Sequence, residues 1–548
     1  MTAGIQALRP RHAARQQKGG KLMNPVIHGN SLGDTLARTA WRVPDKTALV
    51  WQDKTLTYAA FDDVVNRCAN AIAAHGIVKG DRVAMFSHNH LDFVLVYYAL
   101  TRLGAISVPI NYMLSAGDVA YILAHSGAVG LVAEDTLVGT AEAALQQATP
   151  APTLQLRGVI RTGDCALPAG WEATADWQQH ADATPPDVEI ADEDCLQLLY
   201  TSGTESRPKG TMQCSRNLIA QYVSCIVDGD MQAGDIEVHA LPLYHSAQTH
   251  CFLGPDVMLG ATSVILPGAD PVLLLQAVQE HRATKLFCPP TVWIALLRHP
   301  EFDRHDLSSL QKGYYGASIM PRPIIEELSS RLPAMRLYNF YGQTEMGPVA
   351  TVLQPQDQLR KLGSAGLPCI NVQTRVVDDA DQPVAAGVVG EIVHRSPHVM
   401  LGYWNDAEKT AEAFRNGWFH SGDLAYADED GYLYIVDRKK DIIITGGENV
   451  SGREVEEAMY GHPAVGEVAA IGVPHPKWVE AVTIVVVAKA GHQVTEEELL
   501  DYGRKHLTAF KAPKYVILVD DLPRNASGKL LKRNLRQQYA GLAEQQPG

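Results

Sequence analysis

The stretch YTSGTESRPKG at positions 200 to 210 concentrates hydroxyls (Thr201, Ser202, Thr204) and cations (Arg207, Lys209) around the flexible Gly203. It follows the apolar run CLQLLY, which reads as a strand. A loop after a strand that offers backbone amides, hydroxyls and a cation is an anion cradle. It is not a Walker loop, because Gly210 follows Lys209 where that pattern needs Ser or Thr. Glu205 puts a carboxylate in the middle of the cradle. At about 6 Å from a phosphate and an effective dielectric of roughly 20, it would cost about 3 kcal/mol per unit charge. A working loop must therefore turn Glu205 outward or pair it, and Arg207 is the nearest candidate.

Further chemistry-bearing stretches follow in order: NFYGQTEMG (339 to 347), HSGDL (420 to 424), DRKKDIIITGGENV (437 to 450) and PRNASGKLLK (523 to 532). With the first loop, in this order and spacing, they resemble the adenylate-forming acyl-CoA synthetases, the superfamily that includes firefly luciferase and the adenylation domains of peptide synthetases. The resemblance runs from about Thr35 to Arg536. It implies that Thr201, Ser202, Gly203, Thr204 and Lys209 enclose the phosphates of ATP, that Thr344 donates to the α-phosphate, and that Glu345 holds Mg²⁺. It implies that Tyr341, Gly342, Gly316, Ala317 and Ser318 flank adenine, that Asp423 accepts from the ribose hydroxyls, and that Arg438 supports ribose and phosphate. Lys529 would bridge the substrate carboxylate and the α-phosphate, where two anions meet and neutralisation and positioning are the main catalytic needs. Lys440 matches the family hinge, Gly446 and Gly447 the tunnel for the pantetheine of CoA, and His245 in LPLYHS the wall between that tunnel and the acyl pocket. The chain departs from the family at Glu205, Ser206, Tyr244, Gly452 and Val479, none of which would make a bond.

The elements that must position these groups follow from periodicity. In YAAFDDVVNRCANAIAAHG, Phe61, Val64, Val65, Cys68, Ala69 and Ile72 recur at helical spacing, and RVAMFS then reads as a buried strand. NHLDFVLVYYALTRLG with AISVPI, and DPVLLLQAVQEHRATKLFCPP, repeat the cadence. Such alternation predicts an α/β fold of doubly wound, mostly parallel sheets. Residues 370 to 436 turn to short strands, a β-rich subdomain, and after Lys440 a small mobile α+β domain is expected. The predicted division is a basic disordered tail at 1–22, or an upstream start with Met23 as the natural one, a large domain at 23–437, a small one at 438–540 and a tail at 541–548. The stretch 149–186 reads as an insertion or long connection.

Composition narrows the partners. A net charge of −14, from 47 basic and 61 acidic residues, disfavours nucleic acid and anionic membrane surfaces. No run is long and apolar enough for a spanning helix, and the eight scattered cysteines read as reduced core thiols of a cytoplasmic protein. His88 and His90 in SHNH read as a loop. A homodimer is an open option.

The implied reaction is AMP-forming ligation of a carboxylic acid to CoA, with ATP and Mg²⁺. Phe252, Leu253, Trp293, Tyr314 and Tyr315, with His245, form the expected acyl pocket, and no basic residue there would meet a second carboxylate. That predicts a medium- or long-chain fatty acid, with an aryl or arylalkanoic acid as the alternative. An amino-acid substrate is disfavoured because SAQTHCFLG offers no acid to a substrate ammonium before Asp256. The short junction at YIVDRKKD lacks the insertion of a fatty acyl-AMP ligase. A nucleotide-binding relative without turnover is the reading from another class.

Overall fold

The helix Leu91–Leu103 is apolar around nearly its whole circumference, so it must be covered on every side. In the computed structural model, which describes residues 30–163, 166–201, 207–489, 491–524 and 530–545, every residue of this helix is buried. The expected tail at 1–22, Ser202, Gly203, Thr204, Glu205 and Lys529 lie outside the described residues. The helix starts on His90, whose Nδ1 accepts from the Asp92 amide, and stops at Gly104, where φ is 64°. With helix Tyr58–Ala74 it packs between two sheets, in a core that joins Val83 and Met85 of one to Leu49 and Trp51 of the other. Each fully buried Leu or Val there contributes about 1.5–3 kcal/mol.

One of these sheets has nine strands, ordered 367–368, 349–353, 336–342, 312–316, 285–287, 236–239, 262–265, 47–51 and 54–57. Its centre, from 312–316 to 47–51, is parallel. The other has eight, ordered 402–403, 209–214, 195–201, 106–110, 82–86, 130–134, 156–160 and 172–173. Strands 373–377, 390–395, 419–427 and 433–438 form an antiparallel four-stranded sheet, the β-rich part. A five-stranded sheet from Ile443 onward, flanked by helices Gly452–Tyr460 and Glu496–His506, makes the small C-terminal unit. Lys439 and Lys440 form the turn between the last strand of the four-stranded sheet and the first of the five-stranded one.

The stretch 149–186, expected as an insertion or long connection, carries strands of its own. Strands Leu156–Ile160 and Glu172–Ala173 extend the eight-stranded sheet in parallel register. Their short, Gly-containing pattern hid them: Gly158 lies against the Trp177 indole, which would stand 2.3 Å from any Cβ there. Within the expected tail, helix Leu542–Gln545 packs Ala543 against Ala481 and Tyr515. The seven described cysteines are free. His88 pairs through Nδ1 with Glu134 at 2.9 Å. No described helix is long and apolar enough to cross a membrane.

Candidate active site

Strands 195–201 and 209–214 pair antiparallel, with Thr201 opposite Lys209 at the end of the pair. Tyr403 extends this sheet, paired with Thr211, and the Lys209 Nζ stands 4.9 Å over its ring. The same tyrosine's hydroxyl donates to Glu345 at 3.0 Å. Burial and the Glu345 carboxylate hold the Tyr403 phenol well above its ordinary range, so it stays a donor.

Glu345 reaches this point because strand Arg336–Gly342 ends in a tight turn, Thr344–Met346. The turn is pinned at both carbonyls: Gln213 Nε2 donates to the Thr344 oxygen at 2.8 Å, and the Met400 amide to the Glu345 oxygen at 2.9 Å. The Thr344 hydroxyl lies 3.2 Å from that of Ser246, the neighbour of His245. His245 Nδ1 accepts from the Ala247 amide at 3.2 Å, at the start of a π-helical segment, Ala247–Leu253. Such wide turns recur at functional sites.

On the other side, Asp423 and Arg438 face each other across antiparallel strands of the four-stranded sheet. Arg438 Nε stands 3.2 Å from Asp423 Oδ1, and the Tyr341 hydroxyl donates to Asp423 Oδ2 at 2.7 Å. Burial would weaken the charge on Arg438, but Asp423 and then Glu345 outweigh it and its pKa is raised. Burial and Asp423 together push the Tyr341 phenol far up. The edges of three sheets thus bring Lys209, Tyr341, Thr344, Glu345, Asp423 and Arg438 into one group. Gly316, Ala317 and Ser318 end strand Lys312–Gly316, parallel to that of Tyr341. Ala317 has a φ of 65°, a strained backbone of the kind stored at functional sites, and a Cβ on Gly316 would lie 2.5 Å from the Phe340 carbonyl.

The remaining expected residues are spread more widely. Gly446 and Gly447, with φ of 60° and 89°, make the two-residue turn between strands Ile443–Thr445 and Glu448–Val450 of the small unit. Phe252 and Tyr314 are fully buried in an aromatic cluster with Phe287 and Phe340, whereas Tyr315, next along the strand, points to the other face and donates to Gln358. Period two puts consecutive tyrosines on opposite faces, so the two cannot line one pocket. Trp293 belongs with Tyr315, and its Nε1 donates to the Tyr314 carbonyl. Asp256 is neutralised by a buried ion pair with Lys285, which also stands 2.8 Å from Glu237. This leaves Asp256 nothing to offer a substrate ammonium, and it gives Glu237, His239 and Asp256 their cation internally. Sequence reasoning missed Tyr403, Ser246 and Gln213. The aromatic pair after Gly402 in GYWN was a usable signal for the first.

The Glu345 carboxylate and the Lys209 cation, brought close to the Asp423–Arg438 pair, suit the charged and hydroxyl groups of a nucleotide. This is the site of an AMP-binding enzyme on a multi-sheet α/β fold. The AMP-binding enzyme family matches residues 36–404, and the AMP-binding enzyme C-terminal domain matches 454–529. Over 513 residues the chain is 37% identical to feruloyl-CoA synthase of Amycolatopsis sp, covering 94% of this chain and all of that protein. It is 34% identical over 488 residues to long-chain-fatty-acid–CoA ligase FadD13 of Mycobacterium tuberculosis, covering 89% and 94%. The ATP-bound structure of MatB from Rhodopseudomonas palustris superposes with a TM-score of 0.84 at 30% identity, covering 93% and 99%. The chain belongs to the AMP-binding enzymes, among their AMP-forming acyl-CoA synthetases. ATP, Mg²⁺ and CoA are the cofactors and co-substrates of such ligases.

Proposed function

We propose that the chain ligates a compact, apolar aryl or arylalkenoic acid to CoA through an acyl-adenylate. A carboxylate oxygen attacks the α-phosphorus of ATP, the bond to the β-phosphate breaks and pyrophosphate leaves. The CoA sulfur then attacks the acyl carbon, AMP leaves with the former carboxylate oxygen, and the thiol proton passes to solvent. Thr344 orients the α-phosphate, Asp423 holds the ribose, Arg438 fixes Asp423, and Lys209 with Thr201, Ser202, Gly203 and Thr204 holds the outer phosphates. Glu345 is a hard oxygen ligand that fits Mg²⁺, which supplies charge neutralisation at the phosphates when bound. Lys529 serves the first step and is withdrawn for the second by rotation at Lys440, as Gly446 and Gly447 come to the site.

The observation that carries the choice of acid is the packing beside the Thr344 turn. Phe252 stacks on Phe287 at 4.4 Å, with Phe340 and Tyr314 closing round it. The same cluster includes Met346 and borders Ala247 and Tyr341, an aromatic setting that supports an aryl acid. The full-length similarity to a feruloyl-CoA synthase points the same way. A medium- or long-chain fatty acid is the second reading, supported by the similarity to FadD13. A pyrophosphate-release screen over cinnamate-type acids and fatty acids of graded length decides between them. A cinnamate-type acid is expected to exceed every fatty acid in kcat/KM by about tenfold or more, the discrimination a misfitting hydrophobic group commonly incurs. A best rate with octanoate or palmitate overturns the choice of acid while leaving the ligase reaction standing.

A further inference from the structure

Beyond the nucleotide group, the outer side of the Lys209 strand opens on a cleft of about 230 Å³. Tyr121 and His125 of helix Ala116–Ser126 form one wall, Trp404, Asp406 and Lys409 the opposite one, and Arg207 with Lys209 the floor. The walls are tied together. The Trp404 indole donates to the His125 carbonyl at 3.2 Å, its amide to the Gly210 carbonyl at 2.8 Å, and the Tyr121 hydroxyl to the Pro208 carbonyl at 3.2 Å. The cleft is therefore built by sheet pairing and helix packing and does not depend on side-chain posture alone.

Its charge runs against that of the whole chain. In a protein of net charge −14, three permanent cations line it against one carboxylate, Asp406. That carboxylate is engaged in capping: Asp406 Oδ1 accepts from the Lys409 amide at 2.9 Å. The guanidinium of Arg207 lies 5.1 Å from the Tyr121 ring centre, a planar fork laid on an aromatic face. Lys409 Nζ contacts the exposed Glu412 at 2.7 Å, a surface pair of little strength that an anion in the cleft can displace. Lys209 belongs to both places, since it stands over Tyr403, the partner of Glu345.

We infer that this cleft is a second phosphate site, contiguous with the nucleotide site through Lys209 and outside it, that takes a multiply charged phosphate group. Two such groups arise in the reaction: the pyrophosphate released in the first step and the 3′-phosphate of CoA. Arg and Lys at fixed spacing suit either, and a positive cleft in an acidic protein draws the anion from the neighbouring site or from solution. The inference does not depend on which acid is activated.

Arg207→Ala, Lys409→Ala and the double variant test it. Product inhibition by inorganic pyrophosphate and the ratio of kcat/KM for CoA over dephospho-CoA are measured, with KM for ATP and thermal unfolding alongside. If the cleft takes pyrophosphate, its inhibition constant rises about tenfold, the loss of roughly one charge-assisted hydrogen bond, while KM for ATP stays within about twofold. If it takes the CoA 3′-phosphate, the preference for CoA over dephospho-CoA falls by a similar factor. Lys409→Arg, which keeps the charge, should stay near the parent values in either case. No change in either measurement overturns the inference. An equal rise in the pyrophosphate constant and in KM for ATP also does, because the two residues would then serve the nucleotide site.

Discussion

Glu345 is held at its oxygen by Tyr403 and at its backbone by Met400, contacts that orient its carboxylate within the group. Pre-set groups of this kind cost little reorganisation in the transition state. Glu345→Gln keeps the shape and the Tyr403 contact but removes the charge. It is expected to raise the Mg²⁺ concentration for half-maximal rate about tenfold, as loss of an anionic ligand should. An unchanged Mg²⁺ titration removes Glu345 from this role. At this scale the sequence was most informative where a role is local to a motif. Tyr341, Thr344, Glu345 and Asp423 could be named through the resemblance carried by the ordered set of motifs, whereas Tyr403, Ser246 and Gln213 reach the group through long-range pairing that spacing does not encode. Tyr314 and Tyr315 show the opposite error: adjacency in sequence suggested a shared pocket, and strand alternation separates them.

The element that sets the site is the strand Arg336–Gly342 with its terminal turn. Gly342 lies under the returning chain, where a Cβ would stand 2.0 Å from the Pro348 carbonyl that accepts from the Gln343 amide. Gly342→Ala therefore forces that carbonyl aside and moves Thr344 and Glu345 with it. Overpacking of this kind costs about 1–3 kcal/mol, read as a lower midpoint of thermal unfolding and a raised KM for ATP. A variant with the parent's midpoint and KM shows that the turn tolerates the methyl. Elements were legible where the pattern ran unbroken, as in helix Tyr58–Ala74 with its helical period and helix Leu91–Leu103 with its long apolar run. Strand Leu156–Ile160 was not, because its five residues are interrupted by Gly158, whose reason is a tertiary contact with Trp177. The π-helical segment beside His245 has no sequence period to announce it.

Across the whole molecule, three sheets meet at the nucleotide group and a fourth begins after the turn at Lys439 and Lys440. The α/β class was legible from the alternation of helix and strand, whereas the meeting of sheet edges comes from long-range pairing that no local pattern announces. In the proposed reaction the small unit takes two positions, one for each step. Lys529→Ala should then suppress acyl-adenylate formation by about a thousandfold, the scale of a lost electrostatic donor at a transition state, while thioester formation from supplied acyl-adenylate and CoA stays near the parent rate. Equal loss in both half-reactions contradicts two positions. The most direct measurement follows an oxygen atom. With substrate acid carrying ¹⁸O in its carboxylate, one turnover in the presence of ATP and CoA is predicted to leave one ¹⁸O in AMP and none in pyrophosphate, because the carboxylate oxygen bonds to the α-phosphorus and departs with it. Label in pyrophosphate or inorganic phosphate, or AMP without label, contradicts an acyl-adenylate.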